Sequence, residues 1–250
     1  MQTNVLVRVQ ARCGKFLGPD AGYSRVTLSD AASGAVLAQG IAQGGSGNLS
    51  PGFHPSSTRQ PVVTTQSTGE QTVLWLSALP ATIPPAAGFR ASLELDVPTL
   101  VRFTAESLGP DGSPNGHLVT ETMLLTPGVD LGAEPGVVLV IPGLIVKNVT
   151  PTESGTSLSL TATVTMMCGC PIDTDVPWLP SEFVVTATVT STAGGAQVAR
   201  AALAFQSRST FGTAQPIVLP GPGTYTVAVE AVQPAEANVG SASITVTVAE

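Results

Sequence analysis

The clearest alternation of apolar and polar positions runs over LSLTATVTMMCGCP, residues 158–171. There Leu158, Leu160, Ala162, Val164, Met166, Cys168 and Cys170 alternate with Ser159, Thr161, Thr163, Thr165, Met167 and Gly169. A period of two marks a strand with one buried face, because successive side chains of an extended chain point to opposite sides. Carried through to Cys170, the alternation puts Met166, Cys168 and Cys170 on the apolar face and turns Met167 away. Shorter runs of the same kind fill the rest of the chain. Val5, Val7 and Val9 alternate with Leu6, Arg8 and Gln10 in a first strand, and residues 25–30 and 35–40 flank the turn Ala31 to Gly34 as a hairpin. Strands are then predicted at 61–65, 72–78, 89–96, 99–107, 118–126 and 137–141. The dipeptide Pro142-Gly143 interrupts two apolar runs, so the expected boundary divides residues 1–142 from 143–250. Beyond it, strands are predicted at 144–149, 157–170, 182–191, 196–206, 213–219, 224–232 and 242–248. The pattern predicts an all-β chain of two antiparallel β-sandwich domains in tandem.

Composition supports this. The chain has 250 residues, enough for two cores of ordinary size. It is 43% hydrophobic and 11% charged, which supplies the apolar surface that offsets ordering entropy and argues against disorder. Its 26 glycines and 21 prolines punctuate the apolar runs and leave little room for long helices. The net charge of −7, with Lys15 and Lys147 the only lysines, provides no basic patch for phosphates and argues against nucleic-acid binding. No apolar run approaches the roughly 20 residues of a membrane span, and Met-Gln-Thr-Asn-Val does not read as a signal peptide.

Two resemblances follow from particular residues. In the last 105 or so residues, Pro222-Gly223-Thr224-Tyr225-Thr226-Val227-Ala228-Val229 looks like a tyrosine corner. Tyr225 stands near the start of the penultimate strand, and Val227, Val229 and Ala231 share its inward face. This part resembles bacterial immunoglobulin-like and fibronectin-type modules, which implies a seven-strand sandwich. It lacks the intersheet disulfide of antibody domains, since no cysteine lies in the penultimate strand. Over the first 45 or so residues, the order of strand, Gly14-Lys15-Phe16-Leu17-Gly18 turn, Val26-Thr27-Leu28 strand and Ser33-Gly34 turn resembles carboxypeptidase-regulatory-like and transthyretin-like β-sandwich modules. That resemblance implies a fold and no activity.

Candidate chemistry is sparse. Cys13, Cys168 and Cys170 are the only cysteines, which excludes a dense disulfide scaffold. On a continuous strand Cys168 and Cys170 are poorly placed to bond with each other, unless the strand ends between them. Met166, Cys168 and Cys170 have two readings. One is a soft-metal site, with copper the expected ion, because thiolate and thioether ligands favour Cu(I). The other is core packing, in which Met and Cys act as adaptable apolar groups. A closed zinc site would want about four ligands, and no second Cys pair or His pair is suitably spaced.

The two histidines, His54 and His117, are expected in loops. They are either solvated or, together with Cys170, part of an enzymatic pocket between the domains. Asp111 with Asn115, and Asp173 with Asp175, read as turn chemistry rather than a calcium loop. The loop 44–57 carries Phe53 and His54, and Trp178 lies in a Pro-flanked loop where an exposed indole could anchor a partner. No nucleophile elbow, zinc-protease helix or phosphate-binding glycine loop is present. The leading expectation is a non-catalytic β-sandwich protein for structural assembly, adhesion or protein–protein interaction, including self-association. Copper binding and catalysis are the alternatives.

Overall fold

The computed structural model describes residues 1–49, 63–64, 86–109, 111–133 and 135–249. The strand expected at 72–78, together with Phe53, His54 and Trp75, lies outside the described residues. The rest is nearly all β, and its helical turns are three short 3-10 segments, Pro19–Ala21, Pro180–Glu182 and Pro234–Glu236. The described residues form two compact units. The first runs as far as Pro142 and also takes in Met167–Cys170; the second holds Gly143–Met166 and the chain from Pro171 onward.

The first unit contains β1 (Gln2–Ala11), β2 (Ser24–Asp30), β3 (Val36–Ser46), β4 (Asn48–Leu49), β5 (Val63–Thr64), β6 (Ala86–Glu94), β7 (Thr99–Leu108), β8 (Pro114–Leu125) and β9 (Val137–Ile141). Seven of these hydrogen-bond in the order β8-β7-β2-β3-β6-β1-β9, while β4 pairs with β5. The first half of β3 pairs with β2, and Gln43 and Ser46 near its end pair with β6 across a register shift. Alternate residues of the strands make the core: Val26 and Leu28, Val101, Phe103 and Ala105, and Val5, Val7 and Val9 are all buried.

β1 departs from the simple alternation. Arg8 and Gln10, expected on a polar face, are 2% and 5% exposed. Phe16 folds back onto that second face, beside Ala86 and Val138, and its ring lies 5.5 Å from the Arg8 guanidinium. The guanidinium donates to the carbonyls of Ala86 (2.6 Å) and Ala87 (2.9 Å), and the Gln10 amide donates to the Gly14 carbonyl (3.0 Å). A strand covered on both faces keeps polar side chains inside only when their hydrogen bonds are made there.

The second unit contains β10 (Leu144–Ser154), β11 (Ser157–Met166), β12 (Val184–Ser191), β13 (Gln197–Ser207), β14 (Thr210–Thr213), β15 (Ile217–Val218), β16 (Gly223–Gln233) and β17 (Asn238–Val248). Its order is β10-β11-β14-β13-β12-β16-β17, with β15 added to β11. Reversed, this order matches the first unit strand for strand: β17, β16, β12, β13, β14, β11 and β10 take the places of β8, β7, β2, β3, β6, β1 and β9. The ends differ in direction, since β9 runs parallel to β1 and β10 antiparallel to β11.

Local detail follows the same correspondence. In the β2–β3 turn, Gly34 (φ 76°) donates to the Asp30 carbonyl and Asp30 donates to that of Ala35. In the β12–β13 turn, Gly195 (φ 67°) donates to Ser191 and Ser191 to Ala196. Each hairpin has a register shift at the corresponding point, between Leu28 and Ser29 and between Val189 and Thr190. The chain is thus a tandem structural repeat. The signal was present in the sequence as DAASGA against STAGGA, but so short a turn motif is shared by many hairpins.

Tyr225 is buried, and its hydroxyl donates to the Gly221 carbonyl at 2.7 Å, bracing the approach to β16. Tyr225→Phe is expected to lower the stability of the second unit by about 1 kcal/mol, the net worth of one such hydrogen bond. Urea melts of the two proteins check this, and an unchanged midpoint would show that water replaces the lost bond.

Candidate functional site

β11 stops at Met166, four residues earlier than the alternation predicts. Thr165, Met166, Met167 and Cys168 are all buried, so the expected outward turn of Met167 does not occur. The chain leaves its strand here. Gly169 takes φ 76°, a left-handed conformation that glycine adopts without a Cβ penalty, and Thr165 bridges Pro171 to close the turn. The single sulfur-bearing face expected from the sequence is therefore corrected. Met166 ends β11 in the second unit, opposite Leu144, whereas Cys168 and Cys170 belong with the first unit.

The turn after β1 has the same bridge spacing, with its left-handed residue at Cys13 (φ 56°) rather than at the glycine. Gln10 bridges Phe16 with the spacing by which Thr165 bridges Pro171, so Cys13-Gly14-Lys15 corresponds to Cys168-Gly169-Cys170. Within the first unit these segments pack together. A Cβ on Gly14 would stand 3.1 Å from Cys168 Sγ, and one on Gly169 would stand 2.7 Å from Asp20 Cβ, so glycine is what permits the approach. Met167 is held by the Ser107 hydroxyl, which donates to its Sδ at 3.3 Å. All three cysteines are buried.

Cys168 and Cys170 hydrogen-bond to each other through their sulfurs. Burial alone pushes the Cys168 thiol up. The Cys170 S–H, the backbone N–H groups of Lys15 and Cys170 and the positive charge of Lys15 together outweigh that effect and bring it below the ordinary thiol value. Cys170 is driven strongly upward, first by donating its proton to Cys168 and then by burial and the Cys168 charge. Of the two sulfurs, Cys168 is therefore the one whose surroundings favour the anion and Cys170 the one whose surroundings favour the proton.

Sequence reasoning found the two thiols but missed Lys15, Asp20 and Ser107. Lys15 stands in a Gly-Lys turn, which in the sequence signals only a fold. Among the described residues, no group of three or more His, Cys, Asp or Glu side chains is arranged to hold a metal ion.

The remaining candidates fall elsewhere. Trp178 is 3% exposed, so its indole is core rather than a surface anchor, and its carbonyl accepts from the Asp173 N–H. A Pro-flanked segment looks like a loop tip in sequence, but Trp178 supplies too much apolar surface to be left in water when a core is within reach. His117 lies in β8 and not in a loop. Asp111 accepts from the backbone and hydroxyl of Ser113, and these bonds hold its carboxyl below the ordinary range, as turn chemistry does.

No protein-family model matches the chain, and no curated protein matches it. Among solved structures it is similar to a DUF3823 family protein from Parabacteroides merdae, at 9% identity over 98% of both chains with a TM-score of 0.32. It is also similar to one from Bacteroides ovatus, at 12% identity over 98% of this chain and 100% of that one, TM-score 0.34. A third likeness is to the chicken interferon gamma receptor alpha chain, at 13% identity over 91% of this chain and 85% of that one, TM-score 0.34. Likenesses this distant carry no argument about function.

Proposed function

We propose that this chain is a non-catalytic β-sandwich protein that assembles with copies of itself through the edge strand β8. The observation that carries the reading is the character of that edge. β8 is 12 residues long and, among the described residues, pairs on one side only, with β7. Leu118 and Leu124 are 57% and 62% exposed, and Leu100 on β7, opposite Leu124, is 49% exposed. Long edge strands are normally blunted by lysine, internal proline or bulges, since unpaired N–H and C=O groups are a template for another strand. β8 has one charged residue, Glu121, its only proline is at its start, and its register shift against β7 lies near that start, between the pairs Leu108–Pro114 and Glu106–Leu118, leaving Leu118–Leu125 regular. Its counterpart β17 presents Ser241, Ser243, Thr245 and Thr247 to solvent, so the two equivalent edges are treated differently.

A second copy is the favoured occupant because the outward row of β8 is self-complementary. Leu118, Thr120, Thr122 and Leu124 read the same in both directions. Two antiparallel copies related by a two-fold axis at Glu121 therefore pair Leu118 with Leu124 and Thr120 with Thr122, while Val119 meets Met123 on the other face. Each such pair is worth roughly 0.2–1 kcal/mol, and Glu121 facing Glu121 costs a similar amount.

Leu118→Lys is thus expected to weaken self-association about tenfold or more. Glu121→Gln should strengthen it several-fold by removing the like-charge pair. Both positions are exposed, so the monomer fold should be unaffected. Light scattering behind size exclusion measures this. A strictly monomeric mass up to about 1 mM protein, or a dimer indifferent to both substitutions, would sink the proposal. The enzymatic alternative called on His54, His117 and Cys170; His54 lies outside the described residues, His117 is on β8, and Cys170 is in the turn after β11.

A further inference from the structure

We infer that Cys168 and Cys170 form a thiol–disulfide exchange site, in which a low-molecular-weight disulfide such as oxidised glutathione converts the two thiols into an intramolecular bridge across Gly169. Three observations meet here. The strand ends at Met166, so the extended geometry that would hold two thiols apart on one face is absent. Gly169 turns the chain at φ 76° between the cysteines. Both thiols are buried in that turn, and of the two the Cys168 sulfur is the one whose surroundings favour the anion, through the Cys170 S–H, the N–H groups of Lys15 and Cys170 and the charge of Lys15.

The reaction balances with the disulfide as oxidant. The Cys168 thiolate attacks one sulfur of RS–SR, forming a mixed disulfide and expelling RS⁻. Cys170 then loses its proton to that leaving group and attacks the Cys168 sulfur, expelling the second RS⁻, which takes up a proton from water. Two protein thiols are oxidised to one disulfide while RS–SR is reduced to two RSH. Because Cys168 is 1% and Cys170 7% exposed, entry of the oxidant requires the turn to open, and the bridge forms slowly. Cys13, the third buried thiol, takes no part.

The test is an equilibrium one, so slow access does not obscure it. The full chain, and Cys13→Ser as control, are equilibrated in glutathione buffers of graded oxidised-to-reduced ratio, starting once from reduced and once from pre-oxidised protein. Each sample is acid-quenched, alkylated and mapped by mass spectrometry. The expected result is a peptide lighter by about 2 Da that carries both Cys168 and Cys170 unalkylated, reached from both directions and unchanged in Cys13→Ser. Full alkylation of both cysteines in the most oxidising buffer, a lasting glutathione adduct on either, or a bridge to Cys13 would overturn the assignment.

Discussion

Arg8→Met is expected to destabilise the first unit by about 2–4 kcal/mol, read as a fall in the urea midpoint of its unfolding transition. Arg8 is buried in the middle of β1, and one guanidinium nitrogen bridges the carbonyls of Ala86 and Ala87. Methionine fills much of the volume of the arginine stem but donates nothing, so both acceptors lose this partner inside the protein. A buried acceptor left unsatisfied costs about 1–3 kcal/mol. Relief of the guanidinium's own desolvation offsets part of this, as does the favourable contact a thioether sulfur makes with the Phe16 ring. The offset keeps the total below the sum of two full penalties. Arg8→Lys should fall between the two proteins, because an ammonium keeps a donor for these carbonyls but lacks the planar guanidinium that lies over the Phe16 ring. A methionine variant as stable as the parent would mean that water satisfies both carbonyls and that the arginine is incidental to the strand.

Asn238→Ala should cost the second unit a similar amount, about 2–4 kcal/mol. Asn238 opens β17 and is fully buried. Its Oδ1 accepts from the Gly143 N–H at 3.0 Å, its amide donates to Gln233 Oε1 at 2.9 Å, and the Gln233 amide donates in turn to Glu182 Oε2 at 3.2 Å. Alanine leaves a backbone donor and an amide carbonyl without these partners, in a low-dielectric site where unmade bonds are most costly. Asn238→Asp separates charge from connectivity. It keeps the acceptor for Gly143 but sets a second oxygen against Gln233 Oε1, so it is tolerated only while protonated, and its penalty should grow as pH rises.

Glu182 at the far end of this network already behaves in that sense. Burial raises its carboxyl above the ordinary value, the charge of Glu236 adds to the rise, and the Gln233 donor opposes it. A carboxyl raised on folding stabilises the fold below its unfolded value of 4.5 and loses that contribution as pH rises through the shifted value. Urea melts of parent and both Asn238 variants across pH would show this. An Asp variant insensitive to pH would mean that the network opens to solvent.

The sequence by itself determined the strands and their buried faces. Period-two runs such as Val5-Val7-Val9 and Leu158-Leu160-Ala162-Val164 commit their apolar side to a core wherever they are placed, because a one-residue slip would expose the whole set. Tyr225 after Pro222-Gly223 was legible for the same local reason, since its hydroxyl reaches a carbonyl four residues back in the chain. Two things were decided only by tertiary structure. The second face of β1 is polar in sequence, yet Phe16 and Ala86 cover it, and a pattern of period two cannot report what is laid over its polar side. Trp178 looked like a loop anchor, but burying an indole depends on how near the core lies, a distance set by the whole fold.

The site was half legible in the same way. Cys168 and Cys170 stand out in sequence as a soft pair, but the alternation assigned them to a strand with Met166. The alternation runs on through Met167-Cys168-Gly169, yet the chain turns there, packed against Gly14 and Asp20 and beside Lys15. Those partners come from a segment more than half the chain away, so their effect on the thiols could not be read from the letters beside them. The physical reason is general to this molecule: local alternation fixes which side of a strand is apolar, whereas hydrogen-bond partners and charge neighbours of buried polar atoms are supplied by long-range packing.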